Sequence, residues 1–303
     1  MKGFIGFTKR NLLIYFKDIY GVIFSLLTSL IVFVLYLLFL KGSFVDAING
    51  AMNGLEEIVS AGDIEMFVNG ILLVGIIGSA LITVPYNCLQ TIIKDREGKV
   101  DYDISATPLK RWQIILSYFL AAVISAFIIT SLILSIGLIV LSAMGDLHMT
   151  ATMILAAYGV ILLGAFSATA FFMILIMGIK NASTGAAFFG IISAASGFVI
   201  GAYIPISQFS SPVRTVCNLF PASHITVLFR NVMLNGILDS VNTSIGGLDN
   251  GVFAGELKRI FSFKADLFGS SLSAGNMLVY VSAATLICIA AMTLIYGKIY
   301  KRR

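Results

Sequence analysis

The sequence predicts an all-α membrane protein of six transmembrane helices, and two observations predict it. The first is composition. Of 303 residues, 58% are hydrophobic and 12% charged, with a mean hydropathy of +0.98. A soluble domain carries about 25% charged residues, so this chain has too few to solvate a surface. The second is spacing. Six runs reach the roughly 20 apolar residues that cross a hydrocarbon core. They cover residues 20–40, 67–93, 112–144, 151–179, 186–204 and 276–297, and none contains Asp, Glu, Lys, Arg or His. That absence argues against proton- and ion-coupled carriers, which keep ionisable groups at membrane depth, and against intramembrane proteases and metalloenzymes. The two histidines, His148 and His224, fall in connections. The three cysteines, Cys88, Cys217 and Cys288, stand at no motif spacing and read as small hydrophobes. A net charge of +5 does not point to nucleic acid. What matters is where the basic residues lie.

Ahead of the first span, residues 4–18 read as an amphipathic helix. Phe4, Ile5, Phe7, Leu12, Ile14, Tyr15 and Phe16 spread over one broad face, and Lys9, Arg10 and Lys17 occupy the other. Such a helix lies in the interface plane with its basic side toward anionic headgroups. The connection between spans two and three, residues 94–111, holds Lys94, Arg96, Lys99, Lys110 and Arg111 together with Asp95, Glu97, Asp101 and Asp103. Within it Thr107 reads as an N-cap and Pro108 as the first turn of span three. Trp112 follows as an interfacial aromatic. This connection is either a solvated loop or a partner surface. With both termini on the cytoplasmic side, 14 of the 20 Lys and Arg face the cytoplasm, as the positive-inside rule requires.

Span two carries a polar stripe, Ser79, Thr83, Asn87 and Thr91, recurring every four residues on one helical face. It suits either a translocation wall or hydrogen bonding between helices. Span five places Ala186, Gly190 and Ala194 on one ridge and Ser193, Gly197 and Gly201 on the next. The Gly197–Gly201 pair lets helices approach closely, within one chain or between two. The long fifth connection, residues 205–275, contains a further apolar stretch that opens at Pro221. A seventh span there would strand Arg230 near the bilayer centre at about 2.5–3.5 kcal/mol. A helix over 222–238 at the outer face, not spanning, is the expectation.

Residues Glu97, Gly98, Val100 and Asp101, followed by Thr107, Pro108 and Arg111 at the opening of a long span, resemble the type 2 permeases of ATP-binding cassette (ABC) exporters. The drug- and antibiotic-resistance branch is the most similar. Asn218–Pro221 and Thr226–Met233, with Arg230, resemble that family's outer segment after span five. The resemblance covers nearly the whole chain, 1–303, as a single permease domain. It implies that residues 94–111 couple to a cytoplasmic ATPase on a separate chain, which carries ATP and magnesium. Glu97 and Asp101 would contact basic groups there, with Gly98 in the same coupling segment, Thr107 and Pro108 a rigid connection to span three, and Arg111 either a headgroup anchor or a third contact. It also implies a second permease copy or a related permease, with spans two and five toward the dimer axis. Pro221 and Arg230 would belong to an outer gate, and the location would be the plasma membrane.

The chain contains no G-x-x-x-x-G-K-[ST] phosphate loop and no nucleophile–base pair, so it is not expected to be an enzyme or to hold a cofactor itself. An amphipathic drug, peptide or lipid-like substrate suits the apolar spans better than a small ion. The alternative is a channel-like or accessory polytopic membrane protein without an ATPase partner.

Overall fold

The computed structural model describes residues 2–52, 55, 58–246 and 248–299; the basic tail at 301–303 lies outside them. The helices are α1 (Lys2–Lys17), α2 (Ile19–Leu35), α3 (Lys41–Met52), α4 (Ala61–Glu97), α5 (Val100–Ala106), α6 (Arg111–Met144), α7 (Ala151–Gly178), α8 (Ala182–Val199), α9 (Ser211–Leu219), α10 (Pro221–Ile245), α11 (Val252–Ile260) and α12 (Ala274–Ile299). A π-helical turn, Tyr36–Leu40, joins α2 to α3. A small hairpin, β1 (Ala265–Leu267) antiparallel to β2 (Ser270–Leu272), precedes α12. Six helices among the described residues are long and apolar enough to cross a membrane, in the order expected. The protein is an all-α membrane protein.

Polar side chains cap the starts of several of the long helices. Asp18 caps α2 by accepting from the Gly21 amide at 2.9 Å. Thr150 caps α7 through the Met153 amide at 3.3 Å, and Asn181 caps α8 through the Thr184 amide at 2.8 Å. Two expected boundaries are corrected. Span three does not open at Thr107–Pro108. Its N-cap is Lys110, whose amide donates to Gln113 Oε1 at 2.9 Å. Thr107 instead closes α5: its hydroxyl donates to the Ile104 carbonyl at 2.6 Å, and its backbone is extended at φ −71°, ψ 157°. The proline that follows disfavours the helical conformation at Thr107. Span five does not run to 204 but ends at Val199, because Gly201 turns the chain at φ +68°. The Ala202 and Tyr203 amides then both fold back on the Gly197 carbonyl, at 2.7 and 3.1 Å.

The central element is α4. Of its most apolar window 89% is buried, against 33% for α6 and 17% for α8, and it packs against α2, α6, α7, α8 and α10. Close approach is built in at Gly78, where an added Cβ would stand 2.8 Å from Ile200 and 3.0 Å from Thr226.

Helix α10 exists as expected but is longer than 222–238, and it sits inside the bundle against α4, α7 and α12. It opens beside Ile82 of α4 and Phe171 of α7. It then runs back along α4, with Leu234 against Gly70. The α9–α10 turn therefore enters the bundle and returns. Arg230 escapes the cost of lipid exposure because it faces protein: its guanidinium donates to the carbonyls of Ile200 at 3.1 Å, Gly201 at 2.7 Å and Ser262 at 3.2 Å.

Candidate functional site

The last turn of α4 ends in four consecutive charged residues, Lys94, Asp95, Arg96 and Glu97. At 100° per residue they point in four directions, and each reaches a different neighbour. The Lys94 ammonium lies 3.1 Å from the Asp18 carboxylate, at the start of α2. Asp95, buried at 6% exposure, accepts two hydrogen bonds from Arg10 of α1, at 2.6 and 2.7 Å, and one from the Tyr118 hydroxyl of α6 at 2.5 Å. The fork-to-carboxylate geometry makes this a strong, directional contact. Arg96 donates to the carbonyls of Met177 and Ile179 at 3.2 and 2.6 Å, where α7 ends. Glu97 accepts from the Ala182 amide at 3.0 Å, where α8 begins. Cation at a helix C-terminus and anion at an N-terminus both agree with the helix dipoles. Five helices are thus fastened to one turn of α4.

The electrostatics follow. The Asp95 hydrogen bonds and charge hold the Arg10 guanidinium above its ordinary pKa, against the opposing effect of its partial burial. The Gly21 amide, and after it Lys94, hold the Asp18 carboxyl below the usual carboxylate range.

Beyond Glu97, Gly98 closes α4 and its amide donates to the Lys94 carbonyl at 2.9 Å. Lys99 turns the chain at φ 60°, and α5 follows. Helix α5 projects Tyr102, 59% exposed, and Asp103 outward. The expectation that Asp101 offers a surface contact is corrected: it is buried at 6% exposure, on the face of α5 that lines a cleft with Ile114 of α6 and Tyr296 of α12. Glu97 is exposed, but its carboxylate already serves the α8 amide. Thr107, Pro108 and Leu109 line a cleft of about 650 Å³ shared with Gly3, Phe4 and Phe7 of α1. Arg111 is exposed as the first residue of α6.

The polar stripe of span two does not line an open passage in this structure. It faces α2: Thr83 donates to the Ser25 carbonyl at 2.6 Å, and Asn87 donates to the Gly21 carbonyl. Ser79 and Thr91 are buried on the same helix. Gly197 and Gly201 do not form one helical ridge, since Gly201 lies beyond the helix and the Tyr203 ring fills the space beside Gly197. The other ridge, Ala186, Gly190 and Ala194, is exposed, with nothing within 4 Å of a Cβ at Gly190. An apolar cleft of about 350 Å³ opens between α7 and α8. Ile82 lies at its back and Phe220, Pro221 and Ala222 close one end.

A family model, ABC-2 family transporter protein, matches residues 57–299. The chain belongs to the ABC-2 transporter family. In this ABC-2 membrane protein the match takes in α4 through α12 and with them the four-residue hub, while α1 and α2, which the hub fastens, precede it. Comparison with curated proteins found no match. Sequence reasoning singled out Glu97 and Gly98 as coupling residues, not as links between helices, and did not single out Arg10, Asp95, Arg96 or Tyr118. A signal was present for Arg10 and Asp95, opposite charges in two segments assigned to the same membrane side; none was present for Arg96, whose partners are backbone carbonyls. Tyr118, two turns into an apolar span, carried none.

Proposed function

We propose that this ABC-2 membrane protein is the permease subunit of an exporter in the plasma membrane. Both termini lie in the cytoplasm. Two permease copies, or this chain with a related one, enclose the path, and a separate cytoplasmic ATPase carrying ATP and magnesium docks against α5. The substrate is an amphipathic drug, peptide or lipid-like molecule. The observation that carries this reading is the hub: a projecting helix, α5, follows directly on a turn bonded to α1, α2, α6, α7 and α8. A push on α5 would therefore be passed to α1, α2, α6, α7 and α8. The cytoplasmic placement of α5 is supported by the basic residues at its end of the molecule, which the positive-inside rule puts in the cytoplasm, and export by the resemblance of residues 97–111 to the exporter permeases. The exposed apolar cleft between α7 and α8 suits an apolar moiety, and the exposed Ala186–Gly190–Ala194 ridge suits close contact with a second copy.

Docking, on this reading, uses Tyr102 and Asp103 and not Asp101. The test is co-purification with candidate ABC ATPases. The pair Tyr102→Ala and Asp103→Lys is expected to reduce ATPase retention at least about tenfold, a loss of roughly 1.4 kcal/mol, with membrane insertion intact. Retention and transport equal to wild type would overturn it.

A further inference from the structure

At the end of the molecule opposite α5, a pocket of about 640 Å³ lies between α9, α10, α11 and the start of α12. Four cations line it, Arg214, Lys258, Arg259 and Lys264, against one carboxylate, Asp266. Asp266 is taken up by Arg214 at 3.2 Å, and Arg259 is held by Glu256 outside the lining, with Nε at 2.9 Å. Lys258 and Lys264 have no ion pair among the described residues. At the wall, Asn218 is 1% exposed. Its Nδ2 donates to the Asp266 carbonyl at 2.9 Å, and its Oδ1 has no partner. Unpaired buried acceptors are rare and call for a donor.

The occupant these groups ask for is specific in chemistry. Two lysines that line one cavity and have no ion pair among the described residues favour an anion with several acceptor oxygens. Asn218 Oδ1, unpartnered at the wall, is left to accept from a hydrogen-bond donor on the same molecule, which a bare anion with no proton lacks. The volume is that of a small-molecule site. Met277 and Ala274 form one wall where α12 begins its span, so the pocket opens at the headgroup layer.

We propose that this pocket binds a phosphodiester or phosphomonoester that also carries a hydroxyl, as a glycerol phosphate group does. Lys258 and Lys264 hold the phosphate and Asn218 Oδ1 accepts from the hydroxyl. The group arrives either as the headgroup of an anionic phospholipid in the outer leaflet or on a soluble molecule. That the pocket faces outward rests on the orientation proposed above. The binding chemistry does not.

The experiment uses the full chain purified in detergent, where both faces are accessible, so an error in orientation leaves the result untouched. Orientation is read separately, by labelling a Lys99→Cys variant from outside intact cells. Binding of short-chain phosphatidylglycerol, phosphatidylcholine and sn-glycerol 3-phosphate is measured by titration. Phosphatidylglycerol is expected to bind more tightly than phosphatidylcholine. K258Q/K264Q is expected to weaken it about tenfold, K258R/K264R to retain it, and K99Q/K110Q, at the other end, to leave it unchanged. Tighter binding of phosphatidylglycerol than of glycerol phosphate assigns the lipid headgroup, and the reverse order assigns the soluble source; either order supports the site. Equal binding of the two lipids, or wild-type affinity in K258Q/K264Q, overturns it.

Discussion

Asp95 shows how much one residue settles. Its carboxylate is buried between a partly exposed guanidinium and a buried phenol, so the two partners are not equivalent. Removing Arg10 strands a charge in a low-dielectric site, which in a fully buried pair costs about 3–5 kcal/mol. A third of the Arg10 side chain is exposed, so solvent screens part of that. Arg10→Met is therefore expected to cost about 2 kcal/mol and Asp95→Asn about 1 kcal/mol, because an amide still accepts from Tyr118. Thermal unfolding in detergent, ranking the two variants, checks this. Asp18 gives a pH signature. Its folded carboxyl titrates below its ordinary value, through the Gly21 amide first and Lys94 second. Its stabilisation is present above roughly pH 4 and is lost as pH falls through the lowered value. The melting temperature of Asp18→Asn should accordingly fall less than that of wild type between about pH 6 and pH 3. Arg230 was legible as an anomaly in the sequence, but its three backbone carbonyl partners come from two distant segments that no local pattern connects.

Elements were legible where hydropathy decides and illegible where caps decide. Runs of apolar residues long enough to span identify the six membrane helices. Where each helix stops depends on one side chain or one dihedral angle. Thr107–Pro108 is ambiguous by nature, since a proline ends the helix before it as readily as it opens the one after; here it ends α5. Gly197–Gly201 has the spacing of a helical contact, yet Gly201 serves as a left-handed turn. The two kinds of glycine can be separated. Gly201→Ala forces a positive φ on a side chain and sets a Cβ 2.9 Å from Ile206 and 3.2 Å from the Arg230 guanidinium. A loss of at least about 1 kcal/mol is expected. Gly190→Leu meets empty space within the chain, so it should leave monomer stability within about 0.5 kcal/mol. If α8 meets a second copy, it should reduce cross-linking between copies. Unchanged cross-linking would place the interface elsewhere.

At the scale of the whole molecule, α4 is a buried shaft whose two ends differ in kind. One end is the charged hub beside α5. Along the other run α10 and the α11–hairpin cap. The sequence singled out residues 94–111 as the candidate coupling connection, since only one internal connection on that side is long enough to reach a partner. It did not allow the fastening to be seen, because hub bonds such as Asp95–Arg10 and Arg96–Ile179 join residues more than 80 positions apart. The central claim is that this turn passes motion from α5 to the path-forming helices. Arg96 tests it most directly, because it joins α4 to the end of α7 and lies outside the exposed docking face. Transport per ATP hydrolysed should be measured for Arg96→Gln and wild type at equal amounts of assembled permease–ATPase complex. The expected result is a ratio about tenfold lower in the variant, equivalent to roughly 1.4 kcal/mol of lost coupling. An unchanged ratio in a fully assembled complex would contradict it.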